Sequence, residues 1–207
     1  MGVMKMNSKK HLSFGSLRDG FGEILKKVPD HREKGKTNYT IHDTMMSGLA
    51  CMFFQDPNLV EFQKRMDEQR STCNLKSLFN IKNVPKETQM RDTIDNVASQ
   101  ELSPVFKEYF FRLQRGKHLK EYEIFPGEYL LPLDATQYFS SPTVHCEHCL
   151  ETKHKKEGLV YSHKVLQAAI MHPNKKQVIP MMPEEIRNED GDTKQDCEIN
   201  AAKRIIP

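Results

Sequence analysis

At 207 residues the chain can bury a sizeable core and has room for one large domain or two small ones. Its 37% hydrophobic and 29% charged residues contain no apolar run long enough for a membrane-spanning helix, which argues against an integral helical membrane protein. The net charge of +3 is uneven: residues 1 to 36 carry nine Lys or Arg against four Asp or Glu, a surplus that suits a polyanionic partner and equally a solvated basic tail.

The start, "MGVMKMNSKKHLSF", lacks the apolar core of a signal peptide, and Met6 stands where myristoylation needs Ser or Thr. The expectation is a cytoplasmic chain. Cys51, Cys73, Cys146, Cys149 and Cys197 are odd in number and scattered, so they read as reduced thiols with one pair available to a metal, not as a disulfide framework.

Residues 1–15 read as a loose basic tail. Ser16 then caps a helix over "SLRDGFGEILKKV", ended by Pro29, and "DHREKGKTN" forms a charged linker. A second helix starts near Tyr39 and runs through "TIHDTMMSGLACMFFQ", apolar almost all round, with Met45, Met46 and Met52 as core filler. The Asp56-Pro57 step stops it. "NLVEFQKRMDEQ", "NLKSLFNI", "PKETQMRDTIDNVA" and "SPVFKEYFFRLQR" follow as shorter helices, making residues 16–120 an all-α region suited to binding DNA. From 121 to 207 the pattern changes to short apolar runs: "YLLPLD", "HKVLQAAIMHP" and "QVIPMMP" read as three strands. After the acidic loop "EEIRNEDGDT" comes an amphipathic helix, "KQDCEINAAKRII", with Cys197 on its buried face. The fold class is therefore α+β.

Three constellations can carry chemistry. In "EYLLPLDATQYFSSP", Leu130, Leu131 and Leu133 anchor a strand from whose end Asp134 emerges, either to start a turn or cap a helix, or as one of the converging carboxylates that hold divalent metals at a phosphodiester. In "HCEHCLETKHKKEGLVYSH", Cys146 and Cys149 form a C-x2-C pair followed by His154 and His163, with His145 and His148 interleaved. Two thiolates and two imidazoles satisfy tetrahedral zinc, although the spacing matches no named finger, and exposed histidines on a hairpin give the same string. Finally, "LKSLFNIKNVPKETQMRDTIDNV" reads as helix, turn, helix, with Lys86, Gln89 and Arg91 exposed at the start of the second helix. These are residue types that reach phosphates and base edges, though any two packed helices with a polar face look alike. "NEDGDTKQD" has the acid density of a calcium loop, but its glycine is misplaced and the terminal glutamate missing.

"YLLPLDATQYFSS", the long block from "VHCEHCLETKHKKEGLVYSHKVLQAAIMHP" through "QVIPMMPE", and "KQDCEINAAKR" together resemble the catalytic domain of insertion-sequence DDE transposases. "DPNLVEFQKRM", "LFNIKNVPKETQMRDTIDNV" and "PVFKEYFFRLQR" resemble their helical N-terminal region, so the resemblance runs from about Asp30 to the last residue. It implies the first half, three strands and a helix, of a ribonuclease H-like mixed-sheet domain, with Asp134 as first catalytic aspartate and ligand of Mg2+ or Mn2+. It also implies DNA as partner, at the terminal repeats of an insertion element, a nucleoid-associated location, and admits a homodimer. In that family the second aspartate follows the helix that here reads "CEINAAKRII" and the glutamate comes later. Glu184, Glu185, Asp190, Asp192 and Glu198 match neither, so the resemblance implies a truncated, inactive form. The alternative is a transposase-derived DNA-binding or interaction module without catalysis.

Overall fold

Ser13 and Thr40 open the first two helices with extended backbone and a hydroxyl turned onto the following turn. The protein is described by a computed structural model over residues 10–33, 35–66, 69–155, 158–188 and 194–206. Residues 1–9 of the expected tail and 189–193 of the acidic loop, with Asp190 and Asp192, lie outside the described residues. The chain divides into two compact units, Met1–Gly116 and Lys117–Pro207.

In the first unit, α1 (Phe14–Leu25) begins earlier than expected, because the Ser13 hydroxyl accepts the Ser16 N–H at 3.3 Å. Ser16 is therefore inside the helix and not its cap. In α2 (Ile41–Phe53), Thr40 accepts the Asp43 N–H at 2.9 Å. The buried Asp43 carboxylate accepts the Lys82 N–H at 3.0 Å, tying α2 to a distant loop. The buried stripe of α2 follows the helical repeat through Thr44, Met46, Ser47, Ala50 and Cys51. Met52 stands one residue past Cys51, turned away by about 100°, and is 79% exposed, which corrects its assignment to the core.

Around α2 pack α1, α3 (Leu59–Met66), α4 (Gln69–Phe79) and α5 (Glu87–Ile94). Leu25, Met46, Phe62, Leu75, Phe79, Ile81 and Met90 fill the core. The last helix of the unit, α6 (Ser103–Arg115), is fixed to α1: Tyr109 donates its hydroxyl to the Leu17 carbonyl at 2.9 Å, and Arg112 donates to the Ser16 carbonyl at 2.9 Å.

The second unit opens with a hairpin, β1 (Glu123–Phe125) and β2 (Glu128–Tyr129), turned at Gly127 with φ of 80°. A five-stranded sheet follows, built around the long central β5 (Gly158–Ile170). One edge of β5 carries β3 (Leu133–Ser141). β4 (Leu150–His154), β7 (Glu184–Ile186) and β6 (Ile179–Pro180) pair in turn with successive stretches of the other edge. Every described pairing is antiparallel, which corrects the expectation of a mixed sheet, and five strands stand where three were read.

β4 and β7 are the added strands, and the first strand lies further along the chain than "YLLPLD". "DATQYFSS" is too polar to announce a strand, yet its β-branched and aromatic residues fit a half-exposed ladder along β5. Asp134 is thus the second residue of β3 and not the last of a preceding strand. β7 lies inside the stretch read as an acidic loop, where Ile186 is its one buried residue.

The final helix, α7 (Glu198–Ile205), lays Ala201, Ala202 and Ile205 on Leu133, Ala135, Leu150, Leu166 and Ile186. Cys197 is the residue preceding α7, in extended backbone and exposed, which corrects its placement on the buried face. Arg204 donates to the Asp196 carboxylate at 2.8 Å, to the Glu185 carbonyl at 2.8 Å, and to Glu184. Burial pushes the Asp196 carboxyl up, but the hydrogen bond and charge of Arg204, together with the Cys197 and Arg187 N–H groups, outweigh that and leave it below its ordinary value.

Arg204→Ala should lower stability by about 1 kcal/mol at neutral pH, a charge-assisted contact discounted for exposure. A carboxylate depressed in the folded state contributes stability above its unfolded value and loses it as pH falls through the folded one. Urea melts at neutral and acid pH should therefore show the gap between variant and parent shrinking in acid. A gap of constant size would assign Arg204 a packing role alone.

Candidate metal centre

The register of β4 on β5 sets Leu150 opposite Ser162, so that Cys149, just before β4, comes beside His163. A tight turn brings in the other cysteine: Cys149 N–H donates to the Cys146 carbonyl and Cys146 N–H to the Cys149 sulfur, each at 3.3 Å. The two Sγ atoms are 3.8 Å apart, and His163 Nε2 is 3.3 Å from each. Cys146, Cys149 and His163 form a group that could hold a metal ion.

The triangle can be tested against coordination chemistry. A tetrahedral zinc with Zn–S of about 2.3 Å and Zn–N of about 2.1 Å separates two sulfurs by about 3.8 Å and sulfur from nitrogen by about 3.6 Å. The sulfur pair meets that value, and the nitrogen contacts need only a few tenths of an ångström. The donor set, two thiolates and an imidazole, is the borderline-soft combination zinc prefers.

The surroundings hold the turn in place. Asn188, at the end of the segment leaving β7, donates its side-chain amide to the Cys149 carbonyl at 2.8 Å and its backbone N–H to the His148 carbonyl at 3.3 Å. His148 Nδ1 meets the Asn188 carbonyl at 2.9 Å, and its ring is not among the three side chains that converge. His145 is stacked on Tyr161, with ring centroids 4.3 Å apart. Tyr138 covers the His163 ring at 5.9 Å from the bulge of β3, where Gln137 and Phe139 pair with the consecutive residues Lys164 and His163. Burial pushes the Cys149 thiol up against the lowering effect of the Cys146 N–H, and the Cys146 sulfur and Glu151 add to the rise.

Of the four residues read from sequence as a zinc set, three converge. His154 does not: it pairs with Gly158 at the far end of the hairpin and is exposed. Four residues of strand, about 13 Å, separate it from Leu150 at the cysteine end. Neither spacing nor residue type in the sequence marks Asn188 and Tyr138, which come to the centre from the segment after β7 and from β3.

Asp134 is on the face of the sheet opposite α7. It pairs with Gln167, while its neighbours Leu133 and Ala135 point into the α7 core. His163 is on that same outer face, four residues along β5 from Gln167. Asp134 is exposed, and among the described residues no group of three metal-ligating side chains includes it. One carboxylate does not hold a divalent cation against its hydration shell, so Mg2+ or Mn2+ at Asp134 does not fit the donors present.

In the helical unit, Lys86 caps α5 without a side-chain bond, and Gln89 and Arg91 are exposed on it. Arg91 is paired with Glu87 at 2.8 Å, and Asp92 and Asp95 are exposed beside them, so this surface is not uniformly positive. α4 and α5 each pack on α2 and α3. No described helix is long and apolar enough to cross a membrane. Comparison with models of known families, with curated proteins and with solved structures gives no match.

The metal-free chain should take up about one zinc, and Cys149→Ser or His163→Ala should each weaken binding by more than about 100-fold, beyond what loss of an outer-shell partner costs. His154→Ala should leave affinity unchanged. Competition titration against a chromogenic chelator reads all three, and an equal loss in His154→Ala would contradict this ligand set.

Proposed function

We propose that this is a DNA-binding protein of the insertion-sequence DDE transposase type, which recognises element ends, and that Cys146, Cys149 and His163 hold a structural zinc ion. The observation that carries the reading is the placement of Asp134. It stands exposed on the face of an antiparallel sheet opposite the one that α7 covers, a carboxylate fixed by a ladder. The sequence blocks around Asp134 that resemble these transposases give the same residue its role.

Phosphodiester cleavage through two metals needs converging carboxylates, and the described residues gather none around Asp134. This favours binding over cleavage as the activity of these 207 residues, the reading of a transposase-derived DNA-binding module. Within it, Lys86 and Gln89 are the stronger contact residues of α5, since Arg91 is already engaged by Glu87. Gln can pair with the edge of an adenine and Lys with phosphate or guanine. Zinc, when bound, neutralises the two thiolates and fixes the 146–149 turn to β5. The face that bears Asp134 then keeps its shape.

Fluorescence anisotropy on a labelled duplex tests the proposal. Affinity should fall at least about tenfold between about 50 and 200 mM salt. Lys86→Ala should weaken binding on all sequences and reduce the salt slope by about one, whereas Gln89→Ala should relax sequence preference. No binding at low salt by a folded, zinc-loaded chain would overturn the DNA reading and leave the metal centre standing.

A further inference from the structure

The two cysteines of the metal centre differ in one respect that a purely structural site does not need. Cys149 is 3% exposed, whereas Cys146, three residues earlier, is open to solvent. Both sulfurs lie on one turn at 3.8 Å, and a disulfide requires about 2.05 Å. Closing that gap takes about 1.8 Å, which rotation of the exposed Cys146 side chain supplies while Asn188 keeps the Cys149 backbone in place. Among the described residues, the polar contacts of the two sulfurs are each other, the turn's own N–H, and His163.

From this arrangement we infer that Cys146 and Cys149 form a reversible dithiol–disulfide couple whose oxidation expels the metal, with a low-molecular-weight disulfide such as glutathione disulfide as the oxidant. The expulsion half rests on the zinc reading above; the disulfide half does not. The Cys146 thiolate attacks one sulfur of glutathione disulfide, forming a mixed disulfide and releasing one glutathione thiolate. The Cys149 thiolate then attacks Cys146 Sγ and releases the second. Two electrons pass from the cysteine pair to the oxidant, one S–S bond is exchanged for another, and Zn2+ departs because both thiolates are gone. His163 alone does not retain it. The exposed sulfur makes first contact and the buried one resolves, so the order of events follows from burial.

The test uses the full chain, loaded with zinc and exposed to rising ratios of oxidised to reduced glutathione. Free zinc, remaining thiols and the peptide map are read together. The expected result is about one zinc released for every two thiols lost, a peptide linking Cys146 to Cys149, and recovery of both thiols on reduction. Cys146→Ser should abolish the linked peptide, and Cys197→Ser should leave it unchanged. Thiols that stay reduced under oxidation sufficient to close an unfolded C-x2-C peptide would overturn the inference, as would a Cys146–Cys197 bridge. If the chain takes up no zinc, the zinc reading fails by itself, and the linked peptide in the metal-free chain still decides the disulfide couple.

Discussion

The antiparallel register along β5 is the constraint on which the second unit depends. With a side-chain period of two, setting Leu150 opposite Ser162 puts Leu150, Leu166 and Ile186 on the face that α7 covers. The same register puts Cys149 and His163 together on the other face. A slip of one residue would carry Leu150 into solvent and separate the cysteine turn from its histidine, so the hydrophobic core and the candidate metal centre are specified by one pairing. The bulge at Tyr138 belongs to the same design, since it re-aims an aromatic ring over His163 without disturbing the alternation on β5.

Two anchors hold this register from outside the ladder. Arg204 ties the end of α7 to Asp196, Glu184 and the Glu185 carbonyl, and Asn188 ties the segment after β7 to the cysteine turn. Both join parts of the chain distant in sequence through charged or amide groups. Neither contributes much apolar burial: four buried side chains form the α7 core, and Leu119, Ala168 and Ile170 are buried elsewhere in the unit. Such a unit gains stability from a bound ion in proportion to the logarithm of its concentration over the dissociation constant.

The helical unit was legible because its apolar residues recur at helical spacing. Leu25, Met46 and Phe79 fall where that period puts them, while Met52 shows the limit of reading an all-apolar helix without knowing which side has neighbours. The sheet was less legible. β3 is polar along most of its length because one face is open to solvent, and β7 hides in an acidic stretch with one buried residue. The C-x2-C pair was visible from spacing alone, but choosing between His154 and His163 required the hairpin register, which the string does not contain. Asp134 was found by sequence and then moved from the end of one strand to the start of another. The helix that bears Gln89 and Arg91 was legible from its spacing, whereas the effect of Asp92 and Asp95 on its charge depends on which residues share its exposed face.

Three side chains, from a turn and a neighbouring strand, converge on one candidate metal centre. X-ray absorption at the zinc edge of the purified, zinc-loaded chain tests it directly. The account predicts an inner shell with two sulfurs at about 2.3 Å and at least one nitrogen at about 2.0 to 2.1 Å, with the sulfur contribution halved in Cys146→Ser. An inner shell of nitrogen and oxygen without sulfur would contradict it.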